Sequence, residues 1–393
     1  MISANHQPLP CSDPLVGLDR YRDVETMVRR MQPATPVYCL HPDALKRAAQ
    51  RFLQGFPGKT LYAVKANPHP AIVRTLYDAG IRHFDTASLE EMDLVTQLCP
   101  DATCYFMAVA RLRGAARTAF EKYGVRHFVA DHISEVERLL EFADHQTTIH
   151  IRMKAFDPSS VYELSSKFGA DEEELPGLLR RVADAGCKVG LAFNVGSLVT
   201  NPRAYGTAIG AAARVIKAAG VEITSLDMGG GFPIAYPGLE TGQLDDFFAT
   251  IRETFAGTGL PSNFELLCEP GRALSAEGQS LVTQVILIKD DLVFLNDGIY
   301  GGLQELDISK GHVKFPARVI SEADTPSDRM KPWRISGPTC DTLDIFSDPI
   351  ELPDNLREGD WVVFSLAGAY TNAMATRFNG LYADTWVRIE SDD

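Results

Sequence analysis

Nothing in the sequence offers a membrane-spanning segment. No apolar run approaches the roughly 18 residues that a bilayer demands. The opening MISANHQPLPCSD has no basic stretch followed by an apolar core. Excess positive charge is missing too. With 38 Lys and Arg against 52 Asp and Glu, the formal net charge is -14. That balance argues against nucleic acid or an anionic membrane as partner, since both need a basic face. An acidic field suits a cationic small molecule, although solvated surface carboxylates explain the balance equally well. The cysteines Cys11, Cys39, Cys99, Cys104, Cys187, Cys268 and Cys340 contain no CxxC pair. Cys99 and Cys104 are close, but no histidine or second pair completes a metal set. An odd, dispersed set of thiols fits a reducing compartment, so a cytoplasmic protein without a metal is expected. Internal repeats and low-complexity segments are also absent.

What the sequence does have is length and rhythm. Its 393 residues are too many for one ordinary domain. From about Val37 to about residue 285, short β-type runs alternate with helical segments. VYCL, TLYAVKA, HFDTAS, TCYFMAV, HFVAD, TIHIRMK, GLAFNV, SLDMGGG and FELLCEP read as strands. HPAIVRTLYDAG and ISEVERLLEFAD carry apolar residues three and four apart and read as helices. This α/β alternation predicts a (β/α)8 barrel over residues 37–285, with a doubly wound sheet as the alternative. Beyond residue 285, segments such as TQVILIKDDLVFLNDGIY, WRISGPTC and DWVVFSLAGAYT are β-rich, with turn signals and no long amphipathic helix. Residues 286–393, completed by residues 1–36, are therefore expected to form a β domain.

The chemistry-bearing segments fall just after predicted strands, which in a barrel is the face where active sites are built. Lys65 ends an apolar strand. Partial desolvation there would lower its pKa and make it a Schiff-base nucleophile, while the plain alternative is a barrel-end lysine with its head in water. Gly229, Gly230 and Gly231 allow backbone N–H groups close to an anion, as in a phosphate site, though tight turns use such runs as well. Glu269 and Arg272, in EPGR, offer an acid for a ring nitrogen and a guanidinium for a phosphate, or simply a partner for each other.

YAVKAN, FDTAS with Glu91, ELSSKFG, FNVGS, LDMGGGFP, EPGR, DGIYGG, GPTCDTLD and AGAYTNAMATRFNG follow one another in this order. Together, from about residue 36 to about residue 383, they resemble the fold-type III pyridoxal-phosphate (PLP) decarboxylases of ornithine, lysine and diaminopimelate. The resemblance implies an alanine-racemase-type barrel plus a β domain, with PLP as cofactor. It implies Lys65 as the Schiff-base lysine, and Glu269 as the acid that keeps the pyridine nitrogen protonated and the ring an electron sink. Ser197, Gly229, Gly230, Gly231, Arg272 and Tyr370 would bind the phosphate. Arg152 would lie near the cofactor, and Asp85 and Glu91 would support the surroundings of the lysine. Cys340 would protonate the α-carbon after CO2 leaves. Asp341 would face the distal amine of the substrate, with Tyr300 and Phe378 completing the substrate wall. Cys340 and Asp341 reach the other subunit in this family, so a homodimer with shared active sites is implied.

Two positions depart from the family pattern. Asn194 stands where FHVGS has a histidine that stacks on the cofactor ring, and an amide offers less overlap and no imidazole charge. Ser309 stands where ornithine decarboxylases have an acid, with Glu305 and Asp307 close enough in sequence to replace it. The expected activity is decarboxylation of L-ornithine to putrescine, of L-lysine to cadaverine, or both. The alternatives are a modified or D-configured basic amino acid, or a non-catalytic regulator of the antizyme-inhibitor kind. The full set of Lys65, Glu269, Cys340 and the glycines argues against a regulator. Glu269 argues against a racemase, which pairs the ring nitrogen with arginine.

Overall fold

The computed structural model describes residues 14–391 apart from 156 and 262–263. The predicted contribution of residues 1–13 to the β domain, and Cys11, lie outside the described residues. Eight parallel strands form the first unit: β1 (Lys59–Ala63), β2 (His83–Asp85), β3 (Thr103–Tyr105), β4 (His127–Ala130), β5 (Thr148–Arg152), β6 (Lys188–Ala192), β7 (Ser225–Asp227) and β8 (Glu265–Cys268). Their order is β3-β2-β1-β8-β7-β6-β5-β4. A parallel bridge between Phe106 and Phe128 joins the two edges and closes the sheet. Helices such as Pro70–Asp78 and Arg203–Ala219 connect successive strands, and Pro42–Gly55 leads into β1; each buries one apolar face against the sheet.

The period of two along each strand sorts side chains between two cores. Tyr62, Phe84, Phe128, Ile149, Ile151, Leu191, Leu226 and Leu266 point outward into the large layer shared with helix residues such as Leu45, Phe52 and Leu76. Leu61, Tyr105, Val129, Ala192 and Leu267 fill the barrel interior. Counting along the inward face from there reaches His83 and His127 at one end, and Asp85, Arg152, Asp227 and Glu269 at the other. His150 occupies this interior because Gly190 yields the room. A Cβ on Gly190 would sit 2.3 Å from the imidazole, whose Nε2 lies 3.0 Å from Ser225 Oγ.

The second unit is a nine-stranded, largely antiparallel sheet. The long strand Gln279–Lys289 pairs with Val37–Leu40 on one edge, and with Trp361–Phe364 and Leu292–Leu295 further along. Thr385–Ile389 runs parallel between Asp19–Tyr21 and Val37–Leu40. Both faces are buried. One packs Leu281, Val293, Phe315, Trp333 and Ile335, and the other packs Val37, Val282, Trp361 and Val387 beneath the helix Val24–Met31. VYCL, expected to open the barrel, is thus a strand of this second sheet. Its fully apolar, buried run is indistinguishable by pattern from a parallel barrel strand. The strand beginning at Gln279 likewise belongs to the second sheet before residue 285.

Asn67 fastens the two units. Its side-chain Nδ2 donates to Gln279 Oε1 at 2.8 Å and to the Gly368 carbonyl at 3.0 Å, and its Oδ1 accepts from Asn372 at 3.0 Å. Tyr370 N donates to the Ala66 carbonyl at 2.8 Å. His69 stacks on Trp386 with ring centroids 3.6 Å apart. The turn carrying Lys65 is therefore held from both domains.

Candidate active site

A cleft of about 300 Å3 opens at the C-terminal ends of the barrel strands, the size range of small-molecule sites. It is lined by Lys65, Arg152, Asn194, Ser197, Gly230, Gly231, Glu269, Arg272 and Tyr370. Sequence order alone scatters these over some 300 residues; the barrel gathers most of them at or after its strand ends, and Tyr370 is brought in by the β domain after Trp361–Phe364.

Lys65 lies in the one-turn 3-10 helix Val64–Ala66 that ends β1. Its Nζ donates to Asp85 Oδ2 at 2.7 Å, with 45% of the lysine side chain and 1% of the aspartate side chain exposed. The expectation of a lowered pKa is overturned. Desolvation pulls in that direction, but the carboxylates of Asp85 and Glu269, with Tyr370, outweigh it and raise the lysine above its usual range. These acids come from strands distant in sequence, so reading the segment alone accounted only for burial. Glu91 also stands behind this corner. Burial lifts it to about 7, against a hydrogen bond donated by Ala87 N at 2.6 Å.

Glu269 follows β8 and is deeply placed. Burial comes first, followed by the charges of Asp227 and Asp85, in pushing its carboxyl well above the usual range, while Lys65 and Arg152 oppose the rise. Arg152 ends β5, with its guanidinium 5.4 Å from the Phe168 ring centroid. Asp227, at the end of β7, was missed by the sequence reading. It is 1% exposed, its Oδ1 accepts from Gly229 N at 2.8 Å, and its Oδ2 is buried. The signal that finds it is the inward register, two residues before Gly229 on a predicted strand.

The glycines form a backbone wall. Gly229 and Gly231 have φ of +66° and +100°. A Cβ on Gly230 would meet the Glu269 carbonyl at 2.6 Å, and one on Gly231 the Gly196 carbonyl at 2.4 Å. Gly229 packs behind this wall against Asn194. Asn194 Oδ1 accepts from Gly196 N at 3.0 Å, fixing the turn that leads to Ser197. Tyr370 takes the left-handed conformation at φ +56° and puts its ring 4.8 Å below the Arg272 guanidinium.

Arg272 is not free to pair with Glu269. Its Nη2 donates to Glu305 Oε1 at 2.7 Å, with side-chain exposures of 6% and 3%. Tyr162 Oη donates to the same oxygen at 2.8 Å. Asp307 accepts from Ser347 N and Oγ at 3.1 and 2.7 Å. Ser309 is 2% exposed, and its Oγ accepts from Val313 N at 3.0 Å. None of these three lines the cleft of its own chain; Glu305 is committed to Arg272 and Asp307 to Ser347.

Tyr300, Cys340, Asp341 and Phe378 gather elsewhere, on the surface of the β domain. Tyr300 Oη donates to Asp341 Oδ2 at 2.5 Å, and its ring lies 4.9 Å from that of Phe378. Cys340 is exposed, and its N donates to Asn379 Oδ1 at 3.2 Å. A backbone hydrogen bond from Leu343 and then Tyr300 hold the Asp341 carboxyl below its usual range. None of the four lines the cleft of its own chain.

An amine, a buried acid and a glycine cradle beside a guanidinium match the aldehyde, ring nitrogen and phosphate of PLP, and the buried, unpartnered Arg272 Nε faces no protein acceptor. No group of three or more His, Cys, Asp or Glu that could hold a metal occurs among the described residues. No helix among them is long and apolar enough to cross a membrane.

Comparison with known proteins agrees with this geometry. The family described as "Pyridoxal-dependent decarboxylase, pyridoxal binding domain" matches residues 43–276. The lysine/ornithine decarboxylase of Selenomonas ruminantium is 31% identical, over 92% of this chain and 91% of its own. The antizyme inhibitor 2 of Xenopus laevis is 30% identical, over 84% and 75%. The arginine decarboxylase of Paramecium bursaria Chlorella virus, bound to agmatine, superposes with a TM-score of 0.83 at 27% identity, covering 93% of this chain and 99% of that one. The barrel with its lysine-bearing mouth and the adjoining β sheet thus belong to a member of the pyridoxal-dependent decarboxylases, an amino-acid decarboxylase that uses PLP.

Proposed function

We propose that the enzyme decarboxylates a basic amino acid, L-ornithine to putrescine, L-lysine to cadaverine, or both. The observation that carries the reading is Asp341, a half-buried carboxylate oriented by Tyr300 and adjacent to the exposed Cys340, a receptor shaped for a distal ammonium. When bound, PLP supplies a ring that accepts the electron pair released as CO2 departs. Lys65 carries the cofactor, and Asp85 holds its amine in place. Gly230, Gly231, Ser197, Arg272 and Tyr370 take the phosphate, while Gly229, its N–H given to Asp227, backs the cradle, and Glu269 holds a proton at the ring nitrogen. Cys340 delivers the proton that replaces CO2 at the α-carbon. Because Cys340 and Asp341 stand apart from their own cleft, the complete site is assembled from two protomers, each lending its surface group to the other's barrel. Domain limits near residues 41 and 278 follow the strand pairing.

A second reading has its own support. With Ser309 used as a cap, and Glu305 and Asp307 engaged, Asp341 is left as the one acid of the expected pair for a distal amine. Asn194 also leaves one face of the ring less covered than an imidazole would. Both features favour a modified or D-configured basic amino acid. The deciding experiment offers the PLP-loaded protein L- and D-ornithine, lysine and arginine, and follows loss of CO2 by mass spectrometry. Putrescine or cadaverine from the L-acids supports the first reading. Amine from a D-acid alone replaces it with the second.

A further inference from the structure

An acid stands where a phosphate site is least expected to hold one. Glu305, on the short helix Gln304–Ile308, is 2% exposed, and its Oε1 is the meeting point of three segments. Arg272 Nη2 donates to it at 2.7 Å from the EPGR turn. Tyr162 Oη donates to it at 2.8 Å from the strand Ser160–Tyr162. That strand pairs with Ser197–Val199, with Tyr162 opposite Ser197, and a Cβ on Gly196 would lie 2.7 Å from the Tyr162 carbonyl. The two side chains given to the cofactor phosphate, Ser197 and Arg272, are thus both anchored on one buried carboxylate. Arg272 lines the cleft and Glu305 does not. The guanidinium therefore has the carboxylate on one side and the ligand space on another.

Charge decides what this arrangement does. A guanidinium buried as Arg272 is, with no counter-charge, is strongly unfavourable. Tyr236 Oη at 3.4 Å from Nη1 and the Tyr370 ring at 4.8 Å bring no full negative charge to it. The carboxylate paired with it is Glu305. The pair is neutral as a whole, so a phosphate arriving at Arg272 is attracted by one positive charge and repelled by one negative charge a little further off. With both side chains buried, that repulsion is weakly screened. We propose that Glu305 is a resident counter-anion of the phosphate subsite: it keeps Arg272 placed and compensated in the empty protein, and it competes with the cofactor phosphate for the same guanidinium. Glu305 thereby sets a ceiling on the affinity for that phosphate. The inference rests on the proposed role of Arg272 at the phosphate. Carboxylate and phosphate are, on this account, substitutes for one another, and removing the first should strengthen the hold on the second.

The test separates the phosphate from the rest of the cofactor. Affinities for PLP, for pyridoxal (which lacks the phosphate) and for inorganic phosphate are measured in full-length wild type, Glu305→Gln and Glu305→Ala freed of cofactor. A glutamine keeps an oxygen for Arg272 Nη2 and Tyr162 Oη but carries no charge. Glu305→Gln is expected to bind PLP and inorganic phosphate about tenfold more tightly than wild type, with pyridoxal within about threefold. A role in packing alone would move PLP and pyridoxal together. In Glu305→Ala the guanidinium has lost its carboxylate, and inorganic phosphate takes the vacant place. Added phosphate should therefore raise the denaturation midpoint of Glu305→Ala well beyond its effect on wild type. An unchanged or weaker preference for PLP over pyridoxal in Glu305→Gln overturns the proposal. So does an alanine variant that phosphate stabilises no more than it stabilises wild type, which decides the matter should the glutamine variant fail to fold. A wild type that takes up PLP but holds it no more tightly than pyridoxal would remove the phosphate from Arg272, and this inference with it, while leaving the decarboxylase reading in place. A wild type that takes up neither would overturn that reading itself.

Discussion

At the scale of single residues, the site is governed by which charges are paired and which are left facing the cleft. Lys65→Ala should abolish the covalent cofactor absorbance and nearly all turnover while leaving the fold intact, since the lysine is partly open to the cleft. Retained activity in that variant would remove Lys65 from its role. Glu305 belongs to a different kind of position. Glu305→Ala leaves the Arg272 guanidinium buried without its carboxylate and should cost about 3 kcal/mol in chemical denaturation. Glu305→Gln, which keeps an acceptor for Tyr162, should cost less. Equal stability of all three proteins would show that the pair is not closed in solution. Much of this was legible in the sequence, because Lys65, Glu269 and the glycines sit in contiguous motifs. Asp227 was not, since an acid at a strand end looks like any turn residue until the register is known. Nor was the charge state of Lys65, which depends on acids brought in by β2 and β8.

At the scale of elements, the eight β/α units were visible as an alternation of short apolar runs and helical periods. VYCL was misplaced because a strand buried on both faces carries no mark of the sheet that it joins. The inward faces of the strands carry a second, unforeseen feature, a layer of His83, His127 and His150 beneath the carboxylates Asp85, Asp227 and Glu269. Burial lowers all three, His127 to about 3 and His150 to about 4. Tyr105 stacks on His127 at 4.1 Å. An imidazole that stays neutral when folded but takes a proton when unfolded contributes stability above its unfolded pKa of about 6.5. That contribution is lost as pH falls from there through the folded values of about 4 and about 3. Across that window His150 is worth about 3 kcal/mol and His127 about 5 kcal/mol. Denaturation midpoints measured at about pH 7 and pH 5 should show the loss. His150→Gln should make the slope shallower, and an unchanged slope would place the acid sensitivity elsewhere.

For the whole molecule, the proposed sharing of Cys340 and Asp341 between protomers makes assembly a matter of function. Mixing the inactive Lys65→Ala and Cys340→Ala proteins under conditions of subunit exchange should restore about a quarter of wild-type activity. Half of the random dimers are hybrids, and each hybrid holds one intact site out of two. No recovery after verified exchange would confine each site to one chain. The β-domain sheet carries a further consequence, for the order in which the protein can be made. Thr385–Ile389 is inserted between Asp19–Tyr21 and Val37–Leu40, so two early strands wait for a late one. Until that late strand has left the ribosome, Val37–Leu40 presents an open edge and the Lys65 turn lacks its stacking partner Trp386 beside His69. A nascent chain can therefore complete the barrel strands well before the mouth gains its second anchorage.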